Sequence, residues 1–205
     1  MTQKYGPEYP RIFTRSDGER FPLYEEGPWL RVFKHPTQPH FVRISRLLDG
    51  SRSIDLATLQ KGWPTWSRTD RRGFASALQM CDEGADIEEI LRFLIDHDRF
   101  ENLMTLAGSI GRNLQRDEAF QVLERMRKAR RLEEAPNILQ GLVFTKHPRA
   151  KESLRETLDR AVDDVQTWKK RGEWLNGKAF TALWALVGLI QLGQSKDSLR
   201  AIATR

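Results

Sequence analysis

Trp63-Pro64-Thr65-Trp66-Ser67 opens the stretch that decides the fold, and Trp168 closes it. Between them apolar residues recur at helical spacing in short runs broken by turns. Ser67 with Asp70 three residues on reads as a capping box, in which side chains satisfy the orphan N–H groups of a first turn. Phe74, Leu78 and Cys81 then fall on one helical face. Asp82-Glu83-Gly84 ends that helix, and Asp86 with Glu89 forms a second box for Ile87, Ile90, Leu91, Leu94 and Ile95. After Asp96-His97-Asp98 come Phe100, Leu103, Met104, Ala107 and Ile110; Asp117 opens Ala119, Phe120, Leu123 and Met126. Pro136 suits a first turn, where its missing N–H leaves no bond unmade, and it leads Ile138, Leu139, Leu142 and Val143. Pro148 does the same for Leu154, Leu158, Ala161, Val165 and Trp168.

C-terminal to this stretch, beyond Gly172, Lys178–Leu192 is apolar nearly all round, with Phe180, Leu183, Trp184, Leu186, Val187, Leu189, Ile190 and Leu192. A helix apolar on more than one stripe needs cover on more than one side. It is therefore expected to be central and buried, flanked by the Pro148–Trp168 helix and by a last short helix over Ser195–Ala201. At under ~20 apolar residues, with Thr181 and Gln191 interrupting it, it is too short to span a bilayer.

N-terminal to the stretch the pattern turns β-like. Ile12-Phe13-Thr14 and Arg20-Phe21-Pro22-Leu23-Tyr24 flank Ser16-Asp17-Gly18-Glu19, and Asp-Gly between apolar runs predicts a type I′ hairpin turn. Pro22, lacking an N–H, predicts an edge strand. Trp29–Phe33 and Phe41–Ile44 read as two more strands, separated by a loop with Pro36 and Pro39. A small antiparallel β unit is expected across residues 11–48, with 53–60 helical because it lacks strict alternation; the competing reading makes 42–48 a short helix as well. Residues 1–10, polar with Gly6, Pro7 and Pro10, read as a flexible arm. The domain plan is thus 1–10 arm, 11–60 β-containing unit and 61–205 helical domain.

The composition fits a soluble globular chain: 205 residues, 39% hydrophobic, 30% charged, net charge +6. The basic balance permits attraction to nucleic acid or acidic proteins without choosing between them. A single cysteine, Cys81, allows no internal disulfide and fits a reducing cytoplasm. The N-terminal residues lack the layout of a signal peptide.

Ile90, Leu91, Leu94 and Ile95 match Ile138, Leu139, Leu142 and Val143 at an offset of 48 positions, and Leu106 and Ile110 match Leu154 and Leu158 at the same offset. Helix pairs recurring at ~40–47 residues mark HEAT and armadillo arrays. On these residues, and on the runs Asp86–His97, Phe100–Arg112, Pro136–Thr145 and Pro148–Trp168, the chain from about 67 to 168 resembles a HEAT-like helical repeat protein. The resemblance implies a mostly α chain, a short α-solenoid of stacked helix pairs preceded by the β unit (α+β overall). It further implies an extended surface for a protein partner. In outline it also resembles the HEAT-like DNA glycosylases, which use a concave basic surface; their catalytic residues have no counterpart here, so that activity is not carried over.

Two groups of side chains are candidates for binding. Trp63, Trp66, Arg68, Arg71 and Arg72 interleave aromatics with cations, as a base-stacking or hot-spot surface does; the competing and favoured reading is that the tryptophans seal the β unit onto the first helices. Arg125, Arg127, Lys128, Arg130 and Arg131 form the densest basic cluster, followed by Lys146, Arg149, Lys151 and by Lys169, Lys170, Arg171. They suit phosphate contact, but cations at helix C-termini also complement the dipole and bond the last carbonyls, which is the favoured reading.

No catalytic constellation emerges. Gly108-Ser109-Ile110-Gly111 misses G-x-S-x-G because its first glycine would be Ala107, and no strand precedes it. Glu152, Glu156, Asp159 and Asp163 form an acidic stripe balanced by Arg155 and Arg160. His35, His40, His97 and His147 have no metal-ligand spacing, and neither phosphate-binding glycine motif occurs. The sequence therefore predicts a non-enzymatic interaction module binding a protein partner, without metal or cofactor and without a membrane span. The alternative is a nucleic-acid binder using a basic groove.

Overall fold

The computed structural model describes residues 11–47, 54–81, 85–98, 102–131, 135–171 and 176–195. The chain is mostly helical, with an N-terminal four-stranded antiparallel sheet. The 1–10 arm, the Asp82-Glu83-Gly84 stop, Phe100 and the helix expected after Ser195 lie outside the described residues. The chain forms two compact units, Met1–Asn102 and Leu103–Arg205. The helices between residues 56 and 97 fall in the same unit as the sheet, and the one over Arg68–Gln79 packs on its third and fourth strands.

In the first unit β1 (Ile12–Thr14), β2 (Arg20–Glu26), β3 (Leu30–Lys34) and β4 (Phe41–Ser45) pair in sequence order. The segment 42–48 is thus a strand over most of its length, and the helix beyond it is α1 (Leu56–Gly62), capped by Asp55, whose carboxylate accepts from the Thr58 N–H at 2.7 Å. Two local expectations are corrected. The hairpin is not type I′: Gly18 alone has positive φ, at +88°, while Asp17 does not. The Gly18 N–H donates to the Arg15 carbonyl at 2.9 Å and the Arg15 N–H to the Glu19 carbonyl at 2.8 Å. That is the longer hairpin loop in which a single left-handed glycine closes the turn. Nor is Pro22 on an edge strand. Arg20–Pro22 pair with β1 and Leu23–Glu26 with β3, so Pro22 sits where one partner gives way to the other and its missing N–H interrupts neither ladder.

One face of the sheet buries Phe21 and Phe33 beside Phe13, with Phe13 ring centroids 6.2 and 5.8 Å from theirs. Ser45 in β4 binds α2 (Arg68–Gln79), its hydroxyl donating to the Ala77 carbonyl at 3.0 Å. α2 begins as the sequence predicts: the Asp70 N–H donates to Ser67 Oγ at 3.1 Å, and that hydroxyl donates to the Asp70 carboxylate at 2.7 Å. α3 (Ala85–His97) touches α1 and buries Ile87, Ile90, Leu91 and Leu94.

The second unit holds α4 (Leu103–Asn113), α5 (Arg116–Ala129), α6 (Pro136–Thr145), α7 (Ala150–Arg171) and α8 (Asn176–Gln191). α6 is the hub: it meets α4, α5, α7 and α8. Its ends follow the sequence, with Pro136 in the first turn and Lys146 closing it at φ +50°, donating to the Val143 carbonyl at 3.1 Å. α4 and α6 cross at backbone contact. A methyl group at Gly111 would strike the Gly141 carbonyl oxygen, and one at Gly141 the Ala107 carbonyl oxygen. The Gly108–Gly111 segment is therefore a helix crossing, not a nucleophile turn, because only a missing Cβ permits that approach.

The positions related by the 48-residue offset share their burial: Ile90, Leu91 and Leu94 are buried, as are Ile138, Leu139 and Leu142, while Ile95 and Val143 are both half-buried. The offset carries α4 onto α7, however, whereas the main neighbour of α4 is α6.

The expectation for α8 is corrected. It packs on α7 and α6 through buried Thr181, Ala185, Gly188 and Leu189, but Phe180, Leu183 and Ile190 are 51%, 54% and 44% exposed. Its main neighbours among the described residues are α6 and α7, and the helix keeps an exposed apolar face at Phe180, Leu183 and Ile190.

Candidate functional site: two exposed apolar surfaces

Large hydrophobic side chains that stay exposed mark surfaces for something else. Among the described residues these are Ile12, Tyr24, Phe41, Phe180, Leu183 and Ile190. All but Ile12 gather at two places, one in each compact unit.

In the second unit, Phe180, Leu183, Val187 and Ile190 follow at i, i+3, i+7 and i+10 along α8, the spacing of a coiled-coil seam. Val187 and Trp184 are half-buried, and the Trp184 ring meets Phe180 edge-on at 6.1 Å.

In the first unit, β2, β3 and β4 present Tyr24, Lys34 and Phe41 together. The Tyr24 and Phe41 rings, 61% and 48% exposed, are 5.7 Å apart at 70°. Lys34 Nζ lies 5.3 Å from the Tyr24 centroid and 5.8 Å from that of Phe41. Tyr24 alternates away from Leu23, which pairs with Phe33 on the buried face, and so shares the face of Lys34 and its cross-strand partner Phe41; the register shift after Leu23 turns Glu25 toward the same side. Next to Phe41 an open cavity of about 580 Å³ lies between β3–β4 and α2, bounded by Leu30, Arg43, Arg72, Gln79 and Met80. Among the described residues its wall contains two arginines and no carboxylate. Glu25, in register with Val32, stands at the rim of this face.

The sequence candidates fall out differently. Trp63 is buried and Trp66 half-buried, in a cluster with Trp29, Phe74 and Phe93; the Trp29–Trp66 and Trp29–Phe74 centroids are 4.9 and 5.0 Å apart. Trp63 Nε1 has no hydrogen-bond partner. Gly62 is required here, since a Cβ would stand 2.6 Å from Trp66 Nε1. Arg71 caps this cluster from outside, donating to the Trp63 carbonyl at 3.1 Å with its guanidinium 5.2 Å from the Trp63 ring. Arg68 and Arg72 are exposed on α2, and Arg72 alone of this group borders the cavity. The tryptophans thus join β3 to the helices and offer no open stacking surface.

Within the basic cluster, Arg127 is buried. It donates to both Glu124 carboxylate oxygens at 2.8 and 2.6 Å, to Glu156 at 2.7 Å and to the Thr157 hydroxyl at 3.1 Å. Thr157 passes its own proton to the Ser153 carbonyl at 2.8 Å, so the group ties α5 to α7. Burial alone would push the Glu124 carboxyl up, but the hydrogen bonds and charge of Arg127 dominate and hold it at about 2. Lys128 reaches the same carboxylate at 3.4 Å. Arg125 and Arg131 are exposed and Arg130 is half-buried. Four cations of the cluster are left outside the buried pair.

Sequence reasoning missed Tyr24, Lys34, Phe41 and Arg43. The alternation of β2–β4 places them on strands, but their meeting depends on the registers that set Leu23 opposite Phe33 and Lys34 opposite Phe41. His147, a candidate of no assigned role, is held by stacking on Phe120 at 4.0 Å. Among the described residues no group of histidine, cysteine and acidic side chains suits a metal ion, and no helix is long and apolar enough to cross a membrane. Set against models of protein families, curated proteins and solved structures, the chain matches none.

Proposed function

We propose that this chain is a non-enzymatic interaction module that binds a protein partner through its helical second unit, in a reducing cytoplasm. The observation that carries this reading is the open stripe Phe180, Leu183, Val187 and Ile190 on α8. Its seam-like spacing suits an amphipathic helix laid along it, with apolar anchors at i, i+3 and i+7. A HEAT-like stacking of helix pairs is part of the proposal. In support, alternate helices touch: α4 meets α6, α6 meets α8, and Arg127 of α5 bonds Glu156 and Thr157 of α7. Such arrays bury each repeat against the next.

A nucleic-acid groove at Arg125, Arg127, Lys128, Arg130 and Arg131 has less support, since Arg127 is turned inward onto two carboxylates. The test of the protein-binding reading is site-specific photo-crosslinking of the full chain in cells. A photoreactive residue at Leu183 should give discrete protein adducts that one at Asp159, exposed on α7, does not. Equal labelling from both positions, or none from Leu183, would remove the basis for this function.

A further inference from the structure

We propose that the Tyr24–Lys34–Phe41 face of the sheet, with the adjoining Arg43–Arg72 cavity, binds single-stranded nucleic acid. This is a second site, in the other compact unit from α8, and it stands independently of the protein-binding reading.

Two features select the ligand. The first is the pair of exposed rings, 5.7 Å apart on an antiparallel sheet. Unpaired bases stack on such rings whatever their sequence, whereas bases in a duplex are already stacked on one another. The second is charge. Lys34 stands over both rings, and the cavity between β4 and α2 is lined by Arg43 and Arg72, with no carboxylate among the described residues of its wall. Phosphates that follow the stacked bases into that cavity meet two guanidiniums. The whole chain, at net +6, favours the approach of a polyanion.

Lys34 does not block the rings. Its contact with them is an exposed cation–π contact, weaker than the stacking of a base, and its long side chain can move from ring to phosphate. An acidic peptide would satisfy the arginines but leave the rings without a role.

The test is fluorescence anisotropy of the full chain with four probes: a short oligothymidylate, an abasic deoxyribose-phosphate strand of equal length, a duplex, and a polyglutamate peptide. The oligothymidylate should bind more tightly than the other three. Y24A and F41A should each weaken it about tenfold, while Y24F and F41Y, which keep the rings, should bind as the natural chain does. R43Q and R72Q should each reduce the log–log salt slope by about 0.7, the contribution of one single-strand phosphate contact. Circular dichroism checks that each variant is folded. The proposal is overturned if the abasic strand binds as well as oligothymidylate, if Y24A and F41A bind normally, or if polyglutamate is the preferred ligand. It is also overturned if R125Q or R131Q, on α5 and the loop after it, weakens binding when R43Q and R72Q do not.

Discussion

Glu124→Gln isolates the buried ion pair between α5 and α7. The substitution keeps the size and one acceptor of the side chain but removes its charge. Arg127, almost wholly buried, would then keep Glu156, whose side chain is half in solvent, as its one charged partner among the described residues. The magnitude follows from the carboxyl itself. A fall from 4.5 to about 2 corresponds to about 3 kcal/mol of stability, since each unit is ~1.36 kcal/mol. Breaking a buried pair by removing one partner gives a similar ~3–5 kcal/mol. The sign is fixed by the direction of the shift. Because the folded-state value is depressed, the stabilisation is complete above the unfolded value near 4.5 and is lost as pH falls through about 2; less than about half of it remains at pH 3. Denaturant unfolding of both proteins, followed by circular dichroism from pH 7 to pH 2.5, reads this directly. E124Q should be weaker by about 3 kcal/mol at neutral pH, and the gap should close in acid. The double variant E124L/R127M, which removes both charges, should recover most of the loss, because an apolar replacement leaves no buried charge without a partner. A cost for E124Q under ~1 kcal/mol, or one that is the same at pH 7 and pH 2.5, would refute the assignment of Arg127 and Glu124 as a coupled buried pair.

Three further outcomes are expected from thermal and denaturant unfolding. Gly111→Ala should cost ~1–3 kcal/mol or more, since its methyl meets the Gly141 backbone, with the carbonyl carbon at 2.9 Å; an unchanged melting temperature would show that α4 and α6 do not cross this closely. On α8, Leu189→Ala should cost ~2–5 kcal/mol and Ile190→Ala under ~1 kcal/mol, because the first is buried and the second exposed; equal costs would mean that the open face is covered. Ser109→Ala should be neutral or stabilising by up to ~1 kcal/mol, as its hydroxyl is buried without a hydrogen-bond partner. A clear loss of stability in this variant would reveal a bond to that hydroxyl.

Much of the local structure was legible because its causes are local. Ser67 and Asp70 start α2, Pro136 starts α6, and the alternation around Gly18 marks a hairpin, each through bonds or dihedral limits within a few residues. Even there, a dipeptide did not distinguish one turn type from another: Asp17-Gly18 permits two positive φ values, and the strands it joins require one. The edge or interior position of Pro22 was likewise undecidable from β2 alone, because it depends on where β1 ends and β3 begins.

The surfaces that matter for function belong to the other category. Composition and periodicity determined that this chain makes amphipathic helices after a small sheet and that Lys178–Leu192 is apolar on every side. They did not determine which side is covered, since that depends on the shapes of α6 and α7 rather than on α8. Arg125, Arg127, Lys128, Arg130 and Arg131 are alike in sequence, yet only Arg127 is turned inward, where Glu124, Glu156 and Thr157 from two helices converge on it. Tyr24, Lys34 and Phe41, on three strands, meet through the pairing of β2 with β3 and of β3 with β4. Spacing along a chain fixes the direction of a side chain relative to its own element; what that side chain meets is set by residues far away in sequence, and only the folded structure brings them together.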